Sequence, residues 1–111
     1  MNPAEVRIER DQIAFLYFDK RCFGCRKKFG RRFAFHHRRY LNGEKIILKR
    51  LSKDPVKYWI YVKTTIVIDP SRFFCLCNTC HSRIDNFRTG LSRIKKSTLR
   101  RLLLVLFMTE K

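Results

Sequence analysis

Residues 75–81 read CLCNTCH, in which a Cys-x-x-Cys pair (Cys77, Cys80) is followed at once by His81. A second pair of the same spacing stands upstream in CFGC (Cys22, Cys25). Two such pairs can grip one ion from two sides, which is the donor set of a tetrahedral structural zinc site. Residues 26–76 separate the pairs, more than a minimal zinc ribbon holds, so further structure is expected between the two knuckles. Four sulfurs complete a tetrahedral zinc and leave His81 for another role; the alternative, His81 in place of Cys77 or Cys80, needs a less usual bite. Cys75 is the odd cysteine, and reads as a small buried apolar side chain.

The rest of the composition sets the partner class. The chain has 111 residues, with 26 Lys and Arg against 9 Asp and Glu, a formal net charge of +17. That length accommodates one domain, residues 1–111, around one modest core. Charge of this sign and size draws in polyanions, nucleic acid first among them, but specifies no reaction. The opening MNPAEVRIERDQ is too acidic and too polar for a secretory leader. The apolar run from Leu102 to Met108 falls far short of the roughly 20 residues a bilayer requires. A cytoplasmic, reducing location with no membrane partner is therefore expected, and there Cys-x-x-Cys pairs are metal ligands rather than disulfides.

Around the knuckles, residues 6–18 (VRIERDQIAFLYF) partly alternate and end in an apolar run, which predicts a strand or short hairpin. Phe33 to Phe35 predict a short strand that delivers His36 and His37. The segment LNGEKIILKRLSKDP carries turn signals at Asn42-Gly43 and Asp54-Pro55, and reads as a loop with a short strand or helical turn. YWIYVKTTIVI, residues 58–68, is rich in aromatic and β-branched residues and predicts a strand ended by Asp69-Pro70-Ser71. A helix is expected from about Thr79 to Arg88, capped by Asn78 or Thr79 and closed at Thr89-Gly90. Residues 92–108 predict a C-terminal helix, basic at first and apolar later. Its Leu102 to Phe107 stretch is either core or the interface of a homodimer.

All three histidines stand near the knuckles: His36 and His37 between them, His81 directly after the second. On a helix, His81 and Asp85 share a face at i and i+4, so both can address one ion. On a strand, His36 and His37 point to opposite sides and can take different roles. A neutral imidazole near its ordinary pKa of about 6.5 suits general-base work.

The succession CFGC, HHRRY, NGE and LCNTCHSRID resembles the HNH endonucleases of the ββα-metal fold, in the subgroup held together by zinc-binding Cys-x-x-Cys knuckles. The resemblance covers about residues 20–88 and implies a small α+β nuclease domain with a four-cysteine zinc site, followed by the C-terminal helix. It implies hydrolysis of DNA phosphodiester bonds, one strand nicked per active site, with His37 as the base that activates water. It further implies a catalytic divalent ion, magnesium or another such as manganese or nickel, held by His36 and His81, with Asp85 as a further candidate ligand. Beside that site Arg38 and Arg39 would clamp the scissile phosphate, and Arg83, Arg88, Arg93, Lys95 and Lys96 would line the nucleic-acid track. Tyr40 matches a packing aromatic of the subgroup. A free-standing nuclease of this size fits a prokaryotic, phage or archaeal-virus setting. One departure stands out: the asparagine that orients the base in this family would fall near Arg72, and SRFFCLC has none. A backbone carbonyl, Asn42 or Asn78 would have to replace it. A degenerate, non-catalytic zinc-stabilised nucleic-acid-binding protein is the alternative, and RNA is the alternative substrate.

Overall fold

The computed structural model describes residues 1–86 and 94–108, as a mixed α+β fold of a two-stranded sheet and five α-helices among those residues. The order is α1 (Pro3–Phe18), β1 (Phe33–His37), α2 (Glu44–Leu51), α3 (Pro55–Ile68), a 3-10 turn (Pro70–Arg72), β2 (Phe73–Cys77), α4 (Asn78–Asp85) and α5 (Lys96–Met108).

The segment expected as a strand or hairpin, residues 6–18, is helix α1. Asn2 starts it by accepting the Glu5 N–H at 2.9 Å, with Pro3 in the first turn. Its inward stripe is Val6, Arg10, Ile13, Ala14 and Phe18, a helical period in which a cation occupies an apolar position. The Arg10 guanidinium lies over the rings of Phe33, Phe35 and Trp59, each within 5.6 Å. An arginine lying on aromatic faces is thus part of the buried stripe, and its charge hides the period from a hydrophobicity reading. Asp19 ends the helix in the left-handed region (φ 55°).

Residues 58–68 are likewise helix, not strand. Asp54 caps α3 by accepting the Val56 and Lys57 N–H groups, and Pro55 pre-sets the first turn, so Asp54-Pro55 is a helix start. The buried face is Trp59, Val62, Thr65 and Ile66. The Thr64 and Thr65 hydroxyls donate back to the carbonyls of Ile60 and Tyr61 at 2.8 and 2.9 Å, which occupies them inside the helix. Tertiary burial outweighs β propensity here. Removing the cap with Asp54→Ala lowers stability by about 1 kcal/mol, measured as a shift of the urea midpoint. Residues 44–51, expected as a loop with a short strand or helical turn, form the two-turn helix α2.

Strands β1 and β2 pair antiparallel, Phe33 with Cys77 through His37 with Phe73, and α2 and α3 make up the connection between them. Alternation along the pair separates two cores. Phe74 and Leu76 pack with Cys22, Cys80, Ile84, Leu102 and Val105 on one side; Phe73 packs with Ile13, Trp59, Val62 and Ile66 on the other. Within the Leu102 to Phe107 stretch, Leu102 and Val105 are core while Leu104 and Phe107 are exposed. Cys75 is buried, as its small-residue reading required. No helix among the described residues is long and apolar enough to cross a membrane.

Candidate metal centre and histidine cluster

The first knuckle is a tight turn closed by pairing of Arg21 with Lys28, and by the Cys22 N–H donating to the Lys27 carbonyl. The Phe23 N–H donates to the Cys75 carbonyl at 2.9 Å, docking the turn against β2. Gly24 sits at the closest approach: a Cβ there would fall 2.7 Å from a Leu102 methyl and 3.0 Å from the Cys80 sulfur. The second knuckle joins β2 to α4, and Cys77 is itself the N-cap of α4, its sulfur accepting the Cys80 N–H at 3.4 Å. This displaces the cap expected at Asn78 or Thr79, because the Cys77 sulfur accepts a first-turn N–H itself.

The sulfurs of Cys22, Cys25, Cys77 and Cys80 all lie within 4.8 Å of one another. A tetrahedral zinc with bonds of about 2.3 Å places its sulfurs about 3.8 Å apart. Cys25 and Cys77 stand at 3.9 Å, close to that spacing, so the four cysteines could hold a metal such as zinc. The hydrogen bond from Cys80 to Cys22 holds the Cys22 thiol down to about 4 and drives Cys80 up, so the ligands share protons that a metal would displace. Cys75 stands apart: burial pushes its thiol up to about 12.

The histidines divide as strand geometry predicts. His36 projects toward α4, where its ring lies 6.0 Å from that of His81. The His81 Nδ1 is 3.5 Å from an Asp85 carboxylate oxygen. Burial lowers the His36 pKa, the neighbouring His81 lowers it further, and Asp85 opposes both. His36, His81 and Asp85 thus gather on one side of the sheet. Among the described residues, however, only the four cysteines bring three or more donor atoms within 4.8 Å.

His37 points the other way. It is 6 % exposed, stacked on Tyr40 at 4.7 Å and packed on Phe73 at 4.4 Å. Burial pushes its pKa down to about 4, keeping it neutral, and its Nε2 has no hydrogen-bond partner. Near it lies a buried ion pair that no local pattern announced, Glu44 with Arg72. Glu44 also accepts the Tyr61 hydroxyl at 2.7 Å and the Leu41 N–H at 3.2 Å. The Arg72 Nε, like His37 Nε2, is buried without a partner. Where the resemblance calls for an orienting asparagine, the fold therefore supplies an arginine locked to a glutamate, while Asn42 and Asn78 are both exposed.

Of the expected cationic residues, Arg38 lies over Phe74, the strand partner of His36, while Arg39 is exposed. Arg83 shares α4 with His81 but faces the mouth of the cysteine cluster. Lys95 and Lys96 are exposed at the start of α5, and Arg88 and Arg93, with Thr89-Gly90, lie outside the described residues. No protein-family model, curated protein or solved structure matches the chain.

Proposed function

We propose that this chain is a metal-dependent endonuclease of the HNH type that hydrolyses DNA phosphodiester bonds. The observation that carries the reading is the meeting of His36 from β1 with His81 and Asp85 from α4, one turn from the cysteine cluster. An antiparallel strand pair leading directly into a helix is also the order that a ββα-metal motif uses, with α2 and α3 inserted between the strands. A divalent ion bound by His36, His81 and Asp85, whether magnesium, manganese or nickel, would stabilise charge on a scissile phosphate. His37 is the base in this reading: burial keeps the imidazole neutral, and its Nε2 has no hydrogen-bond partner. Because His37 faces the side of the sheet opposite His36, the reaction requires Tyr40 to move off that ring and the imidazole to reorient toward the His36 side, where it would reach the attacking water. Arg38 supplies a guanidinium on the His36 side of the sheet, where it can hold phosphate oxygens.

The enclosure of His37 favours a second reading, a zinc-stabilised nucleic-acid-binding module that has lost turnover. Nicking of supercoiled plasmid separates the two. With each of magnesium, manganese and nickel, the wild-type protein is expected to nick, and His36→Ala and His37→Ala to lose activity by about 10²-fold or more while retaining DNA binding. A folded, metal-loaded wild type that binds DNA yet nicks with none of these ions leaves the binding module. The same assay with labelled RNA identifies the substrate.

A further inference from the structure

We propose that a cationic cleft at the mouth of the cysteine cluster is a second binding site, one that takes consecutive phosphates of a duplex DNA backbone. It rests on nucleic acid being the partner, an element common to both readings above. The cleft encloses about 580 Å³ and is lined by Lys27, Lys28, Arg31 and Arg32 from the first knuckle and Arg83 from α4, with no acidic side chain in its wall. Lys28 reaches Asp19 only at 4.0 Å, and among the described residues the other four cations have no acidic partner within that distance. Five like charges around one concavity repel one another, and a polyanion relieves that repulsion by displacing a diffuse cloud of counterions.

Compensation of the metal centre does not account for this surplus. Zinc held by four thiolates carries a formal charge of about −2, fewer than the cations assembled beside it. The cleft also differs from the rest of the basic surface in shape. The exposed cations of the α2–α3 region, Lys49, Arg50, Lys53 and Lys57, do not line this cleft, so they provide a charge-matched comparison. Positioning is the role expected of such contacts: they fix the protein on the backbone and carry no sequence information. The cleft and the His36 side of the sheet meet along α4, which contributes Arg83 to one and His81 to the other. DNA held at the cleft is thereby brought close to the histidine cluster.

The test compares two quadruple variants by fluorescence anisotropy on labelled duplex DNA, without added divalent ion. Lys27→Gln/Lys28→Gln/Arg31→Gln/Arg32→Gln is expected to weaken binding at least about 10-fold at physiological ionic strength, and to lower the salt slope by about 3. Lys49→Gln/Arg50→Gln/Lys53→Gln/Lys57→Gln should change both far less. In parallel, amine acetylation of the wild-type protein is mapped by mass spectrometry, with bound duplex expected to shield Lys27 and Lys28 but not Lys49 and Lys53. This second readout decides the matter if the first variant loses metal or fold. Equal weakening by both variants, or unshielded Lys27 and Lys28, overturns the cleft. Absence of DNA binding by the wild type instead removes the nucleic-acid reading from which it starts.

Discussion

Replacing Cys22 by serine, or stripping the protein with a strong chelator, abolishes the cooperative unfolding transition of the core around Leu76. Cys22 and Cys80 are fully enclosed, and both belong to the hydrophobic cluster that contains Leu76, Ile84, Leu102 and Val105. Their sulfurs are core atoms as well as donors. A structural zinc supplies roughly 10–16 kcal/mol of apparent binding free energy, as much as the whole stability of an ordinary domain, roughly 5–15 kcal/mol. Loss of one ligand therefore removes most of what opposes chain entropy in this half of the molecule. Wild-type protein should carry one zinc per chain by elemental analysis and melt in a single step; Cys22→Ser should carry almost none and lose helical circular dichroism. Cys75→Ser provides the internal control, since that thiol is buried outside the ligand set and should keep the metal. A Cys22→Ser protein that melts like wild type would show that the cluster is not a metal site.

The second large effect comes from the ion pair. Removing either partner leaves a buried charge without its counterion, so Arg72→Leu or Glu44→Leu is expected to cost about 3–5 kcal/mol by chemical denaturation. The double replacement should recover part of that loss, because no charge is left buried, although the Tyr61 hydroxyl and the Leu41 N–H lose their acceptor. The pH dependence has a definite sign. Burial opposes the charged form of Glu44, but hydrogen bonds from Arg72, Tyr61 and Leu41 outweigh it, and the pKa falls below its ordinary 4.5. A carboxyl lowered by folding contributes its stability above that ordinary value and loses it as pH drops through the folded-state pKa. Wild-type stability should thus decline in acid more steeply than that of Glu44→Leu. Parallel decline of the two proteins would mean that Glu44 is not held ionised by these partners. Because Arg72 also stands beside His37, the proposed nuclease reading predicts that Arg72→Leu reduces nicking beyond its effect on the amount of folded protein.

What is legible in the amino-acid order is what short-range geometry governs. Cysteine spacing picks out the four cysteines that cluster, Phe33–Phe35 locate β1, and the residues after Cys77 announce a helix, all from rules that act within a few positions. Where the expectations fail, the cause is tertiary. In α1 the inward stripe is completed by Arg10, whose charge reads as surface until the aromatic rings beneath it are known. In α3, β-branched residues mask Asp54-Pro55, a helix start that resembles a turn signal. Glu44 looks like a loop acid after Asn42-Gly43, and only the scarcity of acids, 9 against 26 cations, sets it apart. The cleft is not readable at all, since it exists only where the first knuckle meets α4 from beyond α2, α3 and β2.

Cys77 ends the strand, donates a sulfur to the cluster and caps the helix that carries His81. A metal bound by these cysteines would consequently fix the start of that helix as well. A newly made chain in a zinc-starved cell would lack more than rigidity: the histidine and the aspartate further along α4 would have no fixed partner in His36. Where zinc fills the cluster, withholding it would therefore leave α4 without an anchored start.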